Sequence, residues 1–237
     1  FQEYQTDLCF FNDLPNQKLK IACVCVDVFS KYAAVVAILD RTVSSVSAGI
    51  IECFQKMMKK PEILYTDGET SFNDTLMIEY YKKHNIKHYI SRSHAVFAER
   101  FIRTLKDMIY KRIDGDTKKK DGYQWTDYLK QTMQTYDYEN VHSSTKKTPV
   151  DAMKSSEAID VKTNLEVRAL RNRKYPPLNI DDNVKILSKR KPGEKERVSK
   201  WSIEIFKVKS VTRIFGQDYY KLEGVERDYI RNEILKV

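Results

Sequence analysis

The sequence lacks long hydrophobic runs, internal repeats and low-complexity tracts. Its longest apolar runs, IACVCV and YAAVVAIL, are far too short to span a bilayer, so no membrane-spanning segment is predicted. The first residues, FQEYQTD, have no signal-peptide character, and we therefore expect an intracellular protein that is not secreted. The abrupt start also suggests that a longer protein has been trimmed.

Cysteine is scarce as well, and none of the four residues belongs to a C-x-x-C pair. Each lies among apolar residues, so we predict buried free thiols. These residues are Cys9, Cys23, Cys25 and Cys53. His84 and His88 are spaced like zinc ligands, but no cysteine pair lies at a suitable distance and the segment around His88 is typical of a strand. A zinc site is therefore not favoured.

The composition is that of a globular chain with a substantial core. Its 237 residues are 41% hydrophobic and 32% charged, enough for one large domain or for a domain plus a small one. The net charge of +9 favours a polyanionic partner, although many basic proteins bind no nucleic acid.

The first third of the sequence predicts a three-stranded meander followed by a helix. Residues 4–11, 21–30 and 31–39 are rich in strand-forming residues and are closely connected, which indicates antiparallel pairing. Residues 44–60 have helical spacing of apolar side chains, with serines available as N-caps, and Pro61 is expected to end that helix.

The middle of the sequence alternates between strands and helices. We predict a short buried strand at 62–67, ending at Asp67, and another strand at 86–91. Helices are predicted at 72–84, with Leu76, Tyr80 and Tyr81 facing inward, at 98–113 and at 125–138. This order is typical of an α/β domain with a mixed sheet and helices on its faces.

The α/β domain is predicted to span residues 1–155. Thr148, Pro149 and Asp151 near its end are typical of an N-cap, a first-turn proline and an acidic first turn. Residues 156–180 are charged and have no clear core pattern, which predicts a partly helical linker. Residues 181–237 contain short β-rich runs separated by turns, which favours a small all-β barrel.

The helix predicted at 98–113 has two distinct faces. Glu99, Arg103 and Lys106 share a polar face opposite an apolar one. Glu99 followed by Arg103 is the favourable order for a surface ion pair, so the helix alone favours a solvated face. Another role for Glu99 depends on the rest of the chain.

Two further carboxylates supply such a context. Asp7 lies within the first predicted strand, and Asp67 lies at the end of the later buried strand. An acid within a strand needs a partner or a metal ion, and together with Glu99 these oxygen ligands suit Mg²⁺ or Mn²⁺. Such a site can hold two metal ions that act on a phosphodiester. Each aspartate taken alone is more typical of a turn, and Asp27 is assigned to a turn between strands.

Several motifs, in order, resemble the catalytic core of retroviral-type integrases. They are YQTD, CVDVFSKYA, ILYTDGETSF, IKHYIS with AERFIRTLK, and YENVHSSTKKTPVDAM. The resemblance is greatest to the integrases of Polinton/Maverick elements and related virophages. The final runs, WSIEIFKVKSV, YYKLEG and NEILKV, look like the C-terminal barrel of the same proteins. The resemblance implies an RNase H-like mixed five-stranded sheet with flanking helices, plus that barrel.

The resemblance also implies roles for individual residues. Asp7, Asp67 and Glu99 match the metal-binding acid triad, which holds Mg²⁺ or Mn²⁺, expected as two ions. Arg103 and Lys106 match the basic residues that approach donor DNA. The N-x-H motif contains Asn140 and His142, where we expect structural capping more than catalysis.

The implied activity is DNA integration. Water would first attack a phosphodiester near the end of the element, and the freed 3′-hydroxyl would then attack target DNA, with inversion at phosphorus and no covalent protein intermediate. The expected partners are double-stranded DNA and further copies of this chain, with chromatin left open. The expected location is the host nucleus or the virion.

Some residues depart from the family pattern. Gly68 and Glu69 follow Asp67, where the family usually has Asn or Lys and then Gly, and Ile102 replaces a DNA-contacting amide. Only 31 residues lie between Asp67 and Glu99, which implies a short loop before the helix. We expect these departures to affect efficiency and DNA specificity more than chemistry.

The predicted barrel carries two basic runs. The first contains Lys189, Arg190 and Lys191, and the second covers 195–200. Phosphate contacts and a charged loop that keeps the barrel soluble are equally supported.

Two alternative functions stay open at this point. One is a catalytically degenerate or domesticated protein kept for DNA or chromatin binding, and the other is a related RNase H-like transposase or nuclease. The intact acids argue against the first alternative, and the FSKYA and ERF-x-RTLK segments favour an integrase over both.

Overall fold

The computed structural model divides the chain into two units, Phe1–Arg171 and Asn172–Val237. It describes residues 2–57, 59–91, 95–117, 122–171, 175–187, 200–214 and 216–237. In these ranges no helix combines the length and apolar character needed to cross a bilayer. The predicted domain boundaries, 1–155, 156–180 and 181–237, stay a prediction.

The first unit is built on a mixed five-stranded sheet, which confirms the predicted fold class. Its strands are β1 (Glu3–Phe10), β2 (Ile21–Asp27), β3 (Ala33–Ile38), β4 (Ile63–Thr66) and β5 (Lys87–Ile90). The strand order is β3-β2-β1-β4-β5. The first three strands form the predicted antiparallel meander, and β4 pairs in parallel with both β1 and β5.

Two helices cover one face of this sheet, α1 (Val43–Lys56) and α2 (Thr75–Lys83). Tyr4 and Leu8 of β1 point to this face and share a core cluster with buried residues of both helices. All four cysteines are buried and free, as predicted, and three of them belong to this core. Alternation along β1 therefore sends every second side chain into this layer.

Two more helices cover the opposite face, α3 (Val96–Gly115) and α4 (Trp125–Gln134). The core on this side includes Cys9 and Phe11 together with the buried stripe of α3. The ring of Phe11 stacks on Trp125 with 4.1 Å between centroids. Stacked aromatic rings of this size contribute strongly to burial, so they fix α4 against the sheet.

Two details of the predicted helices are wrong. Leu76 is 59% exposed, whereas Met77 and Tyr81 are the buried residues of α2. The side chain of Asp74 accepts a hydrogen bond from the Leu76 N–H, so the helix begins later than predicted. Helix α1 ends at Lys56, several residues before Pro61.

The segment after α4 is irregular at first and then helical. A π-helical turn, Thr135–Glu139, follows α4 directly. Helix α5 (Pro149–Ala152) has the predicted N-cap, because Thr148 Oγ1 accepts the Asp151 N–H at 3.2 Å. Helix α6 (Ala158–Leu170) lies within the segment predicted as a linker.

The second unit contains an all-antiparallel five-stranded sheet that does not close into a barrel, so the predicted barrel is wrong. Its strands are β6 (Asn183–Ile186), β7 (Phe206–Ile214), β8 (Gln217–Leu222), β9 (Asp228–Ile230) and β10 (Ile234–Lys236). The order is β10-β6-β7-β8-β9. Among the described residues the two edge strands, β9 and β10, have only three residues each and do not pair with one another, so the sheet stays open.

Candidate functional site

The pairing of β1 with β4 places the two aspartates beside each other. Glu3, Tyr4 and Gln5 pair in parallel with residues 63, 64 and 65. Asp7 lies two residues beyond Gln5 and Asp67 two residues beyond Tyr65, so this register brings both aspartates to the same end of the paired segment. Both side chains are half-buried, and alternation places Asp7 on the same face as Gln5.

Glu99 is brought to that face by a contact between β1 and α3. The Gln5 side-chain oxygen accepts hydrogen bonds from the N–H groups of Phe97 and Ala98, at 2.8 and 3.4 Å. These N–H groups belong to the first turn of α3 and have no partner within the helix. Gln5 therefore ties the start of α3 to the strand that carries Asp7, and the exposed Glu99 follows directly.

The electrostatics of Asp7 show that the acids act on one another. Burial, and to a smaller extent the negative charges of Asp67, Glu99 and Glu69, raise the pKa of the Asp7 carboxyl to about 6. The Leu8 N–H donates to Asp7 Oδ1 at 2.7 Å and partly offsets this rise. The structure therefore brings all three predicted acids into one electrostatic environment.

Glu69 is a fourth carboxylate of this environment and was noted from sequence only as a departure from the family pattern. Arg41 donates to both Glu69 carboxylate oxygens, at 2.6 and 2.7 Å. The Glu69 N–H donates to Asp67 Oδ1 at 3.1 Å, which fixes the chain after β4. We call Asp7, Asp67, Glu69 and Glu99 the acid region.

The donor chemistry of the acid region fits a divalent cation. Carboxylate oxygens are the preferred ligands of Mg²⁺ and Mn²⁺, and a bound cation would stabilise the ionised form of Asp7, which burial and then the neighbouring negative charges disfavour. Within the described ranges, no three His, Cys, Asp or Glu side chains form a ready-made metal-binding cluster.

The two predicted DNA-facing cations of α3 differ in their surroundings. Arg103 is exposed. Lys106 Nζ lies 4.0 Å from Asp13 Oδ1 and 5.6 Å from the centroid of the Phe11 ring. Tyr110, one turn further on, donates to the other oxygen of Asp13 at 2.6 Å. Lys106 is therefore partly engaged with the turn after β1, which the helical spacing did not reveal.

Asp27 has the turn role that the sequence predicted. Its carboxylate accepts hydrogen bonds from the N–H groups of Phe29 and Ser30, at 3.2 and 3.0 Å. These contacts satisfy the carboxylate within the turn after β2.

The residues of the N-x-H motif lie in a tight loop. The Asn140 N–H donates to the Thr135 carbonyl at 2.9 Å, and the His142 N–H donates to the Lys147 carbonyl at 2.9 Å. His142 Nδ1 accepts the Ser144 N–H at 3.3 Å. These bonds are consistent with the structural role predicted for the motif.

The predicted basic contacts of the second unit, Lys189, Arg190 and Lys191, lie outside the described residues, as does most of the run at 195–200.

Comparison with solved structures identifies the fold. The HTLV-2 integrase catalytic core domain in complex with magnesium matches in its trimeric form with a TM-score of 0.55 and 19% identity, over 64% of this chain and 95% of that one. Its dimeric form matches over the same shares with a TM-score of 0.52. The simian T-cell lymphotropic virus intasome in complex with the PP2A regulatory subunit B56 gamma matches with a TM-score of 0.62 and 14% identity, over 99% of this chain and 78% of that one.

The first unit therefore has the RNase H-like fold of retroviral integrase catalytic cores. No protein-family model and no curated protein matches the sequence.

Proposed function

We propose that this chain is a DNA integrase that carries out metal-dependent 3′-end processing and strand transfer of mobile-element or viral DNA. The observation that supports the proposal is that Asp7 lies half-buried in an integrase-type fold, where burial and then the charges of Asp67, Glu99 and Glu69 raise its pKa. Sequence motifs such as ERF-x-RTLK further support an integrase of the Polinton/Maverick type.

Asp7, Asp67 and Glu99 would hold Mg²⁺ or Mn²⁺, expected as two ions. When bound, these ions would offset the negative charge that builds up on the phosphate and its leaving oxygen. Asp7 lies within β1 and Asp67 directly follows the neighbouring strand β4, so both would be held as oxygen ligands by the sheet, whereas Glu99 is carried by the first turn of α3. Gln5 is a positioning residue, because its bonds to the Phe97 and Ala98 N–H groups set where Glu99 lies.

The proposed partners are double-stranded DNA and further copies of this chain. The net charge of +9 supports a polyanionic partner, and Arg103 on α3 is exposed for a phosphate contact. The similar integrase structures are dimeric, trimeric or part of an intasome, which supports assembly of this chain on DNA. We propose that it acts in the host nucleus or within a virion.

The test is a strand-transfer assay in Mn²⁺ that compares the unchanged chain with Glu99→Gln. We expect the substitution to reduce product by about 100-fold or more, since a loss of several kcal/mol of transition-state stabilisation has that effect. Asp107→Asn is the matched control, because Asp107 is another exposed acid on α3. Equal activity of Glu99→Gln and the unchanged chain would contradict the integrase proposal.

A second candidate is a non-catalytic DNA- or chromatin-binding protein built on the same core. It is favoured by one observation, the lack of a ready-made three-ligand metal cluster in the described ranges. Under this alternative the unchanged chain binds duplex DNA but gives no strand-transfer product in either metal. Product that depends on Glu99 excludes it.

A further inference from the structure

Contacts between separate elements of the first unit bring four basic side chains into one electrostatic environment beside α3. They are Lys31 in the turn between β2 and β3, Arg100 in the first turns of α3, His142 in the loop after the π-helical turn, and Arg168 on α6. We call this set the cation region.

Lys31 is held against α3 although its side chain is cationic. The residue is only 4% exposed, and its Nζ lies 4.0 Å from the centroid of the Phe97 ring and donates to the Val28 carbonyl. Arg100 lies three residues after Phe97, about one helical turn along the same side of α3. A buried ammonium group and an exposed guanidinium group are therefore brought to the same part of the surface.

Arg168 and His142 approach from the other side through the loop at 142–145. Arg168 Nη1 donates to Ser143 Oγ at 3.2 Å, and Asn164 Nδ2 donates to the Thr145 carbonyl at 3.0 Å. These bonds attach α6 to the loop. The Tyr136 hydroxyl donates to the Lys31 carbonyl at 3.1 Å and ties the turn of Lys31 to the segment that leads into this loop.

Lys31 and His142 lie in surroundings that disfavour their charged forms. Burial lowers the pKa of Lys31 to about 8, and the charges of Arg168 and Arg100 add to this effect. Burial, and to a smaller extent the charges of Lys31, Arg168 and Arg100, lower the pKa of His142 to about 4. Asp27 is the acid that raises the pKa of Lys31, but its carboxylate already accepts bonds within its own turn.

We propose that the cation region binds a backbone phosphate of duplex DNA, with the exposed guanidinium groups of Arg100 and Arg168 making the direct contacts. The neutral His142 adds a hydrogen-bonding group beside them, and the ammonium group of the buried Lys31 adds positive charge. Arginine forks match the geometry of phosphate oxygens. This site is separate from Arg103 and Lys106, and it deepens the proposed DNA-binding function on which it rests.

The experiment measures how binding to a non-specific duplex of about 20 base pairs depends on salt, in EDTA so that no reaction occurs. The slope of log K against log salt is negative, and each lost phosphate contact reduces its magnitude by about 0.9. Because the two arginines contact one phosphate, we expect Arg100→Gln with Arg168→Gln to reduce the magnitude of the slope by about 0.9, and Arg100→Lys with Arg168→Lys to restore it. Lys162→Gln, an exposed cation elsewhere on α6, is the matched control.

Two further arms identify the source of the phosphate and exclude a general loss of structure. The His142 imidazole signals in NMR spectra should move when the duplex is added to the unchanged chain, but not when inorganic phosphate is added at constant ionic strength. A response to inorganic phosphate alone overturns the assignment to DNA. Thermal unfolding of each variant should match that of the unchanged chain, since both arginines are exposed.

A slope equal to that of the unchanged chain in the double glutamine variant overturns the proposal. This outcome is distinct from failure of the integrase proposal, which depends on Glu99→Gln in the strand-transfer assay. DNA binding through the cation region would persist in that variant.

Discussion

The acid region and the cation region carry opposite charges at neighbouring places on one helix, since Glu99 and Arg100 are adjacent in α3. In the acid region, burial and like charges raise the pKa of Asp7 to about 6. In the cation region, burial and like charges lower the pKa of Lys31 to about 8. Each region therefore holds a charge in surroundings that disfavour it.

Different ligands would stabilise the charged groups of the two regions. A divalent cation would stabilise the ionised acids, and a phosphate would stabilise the assembled cations. Bound DNA would bring a phosphodiester to the metal ion at the acid region and a backbone phosphate to the cation region. The first turns of α3 therefore carry the proposed metal ligand, Glu99, directly before Arg100, the proposed contact to the DNA backbone.

The largest stability effect is expected from Lys31→Met, which keeps a long side chain beside Phe97 and removes the charge. Below pH 8 the ammonium group is charged in both the folded and the unfolded chain, so the full cost of burying it is present. That cost disappears as the pH rises from about 8 toward the ordinary value of 10.5. At pH 7 we expect the variant to gain about 2 kcal/mol from the removed charge.

Chemical denaturation of both proteins at several pH values between 7 and 9.5 checks this prediction. The unchanged chain should gain stability relative to Lys31→Met as the pH rises. A constant difference over that range would show that Lys31 carries no electrostatic cost.

A smaller effect is expected from Asp7→Asn, which retains an oxygen to accept the Leu8 N–H. The folded-state pKa of Asp7 lies above its ordinary value of 3.8, so the unchanged chain loses stability as the pH rises from about 4 to 6. At pH 7, in EDTA, the variant should be more stable by about 1 kcal/mol, a value reduced for the partial exposure of Asp7.

Thermal unfolding at pH 4 and pH 7 measures this difference. The advantage of Asp7→Asn should be present at pH 7 and small at pH 4. A variant that is destabilised equally at both values would assign Asp7 a purely structural role.

The smallest predicted effect is a difference between Arg103 and Lys106 of α3 in their contribution to duplex binding. We expect Arg103→Gln to reduce the magnitude of the slope of log K against log salt for duplex binding by about 0.9. Lys106→Gln should lower it less, because Lys106 is near Asp13 and lies over the Phe11 ring. Salt-dependent fluorescence anisotropy with the same duplex makes the comparison, and equal slopes in the two variants would remove the distinction.

Local patterns predicted much of the first unit. Apolar residues fill consecutive positions of β2 and β3, and closely connected strands of this kind pair with their neighbours, so the meander was predictable. The apolar stripe of α3, with Phe101, Leu105 and Ile109 buried, was likewise readable from helical spacing.

Features that depend on distant contacts were not predictable. Closure of the second sheet depends on whether β9 and β10 pair, which no local pattern decides. The cation region joins residues 31, 100, 142 and 168, which are remote in sequence and carry no shared motif. The roles of Asp7, Asp67 and Glu99 rest on their positions and on the family resemblance, and they stay predictions.

The most direct test of the central claim is anomalous diffraction from crystals of this chain soaked in Mn²⁺. We expect a manganese peak between the carboxylates of Asp7 and Asp67, and its loss in crystals of Asp7→Asn. Soaked crystals with manganese peaks only at other places, and none at these two carboxylates, would contradict it.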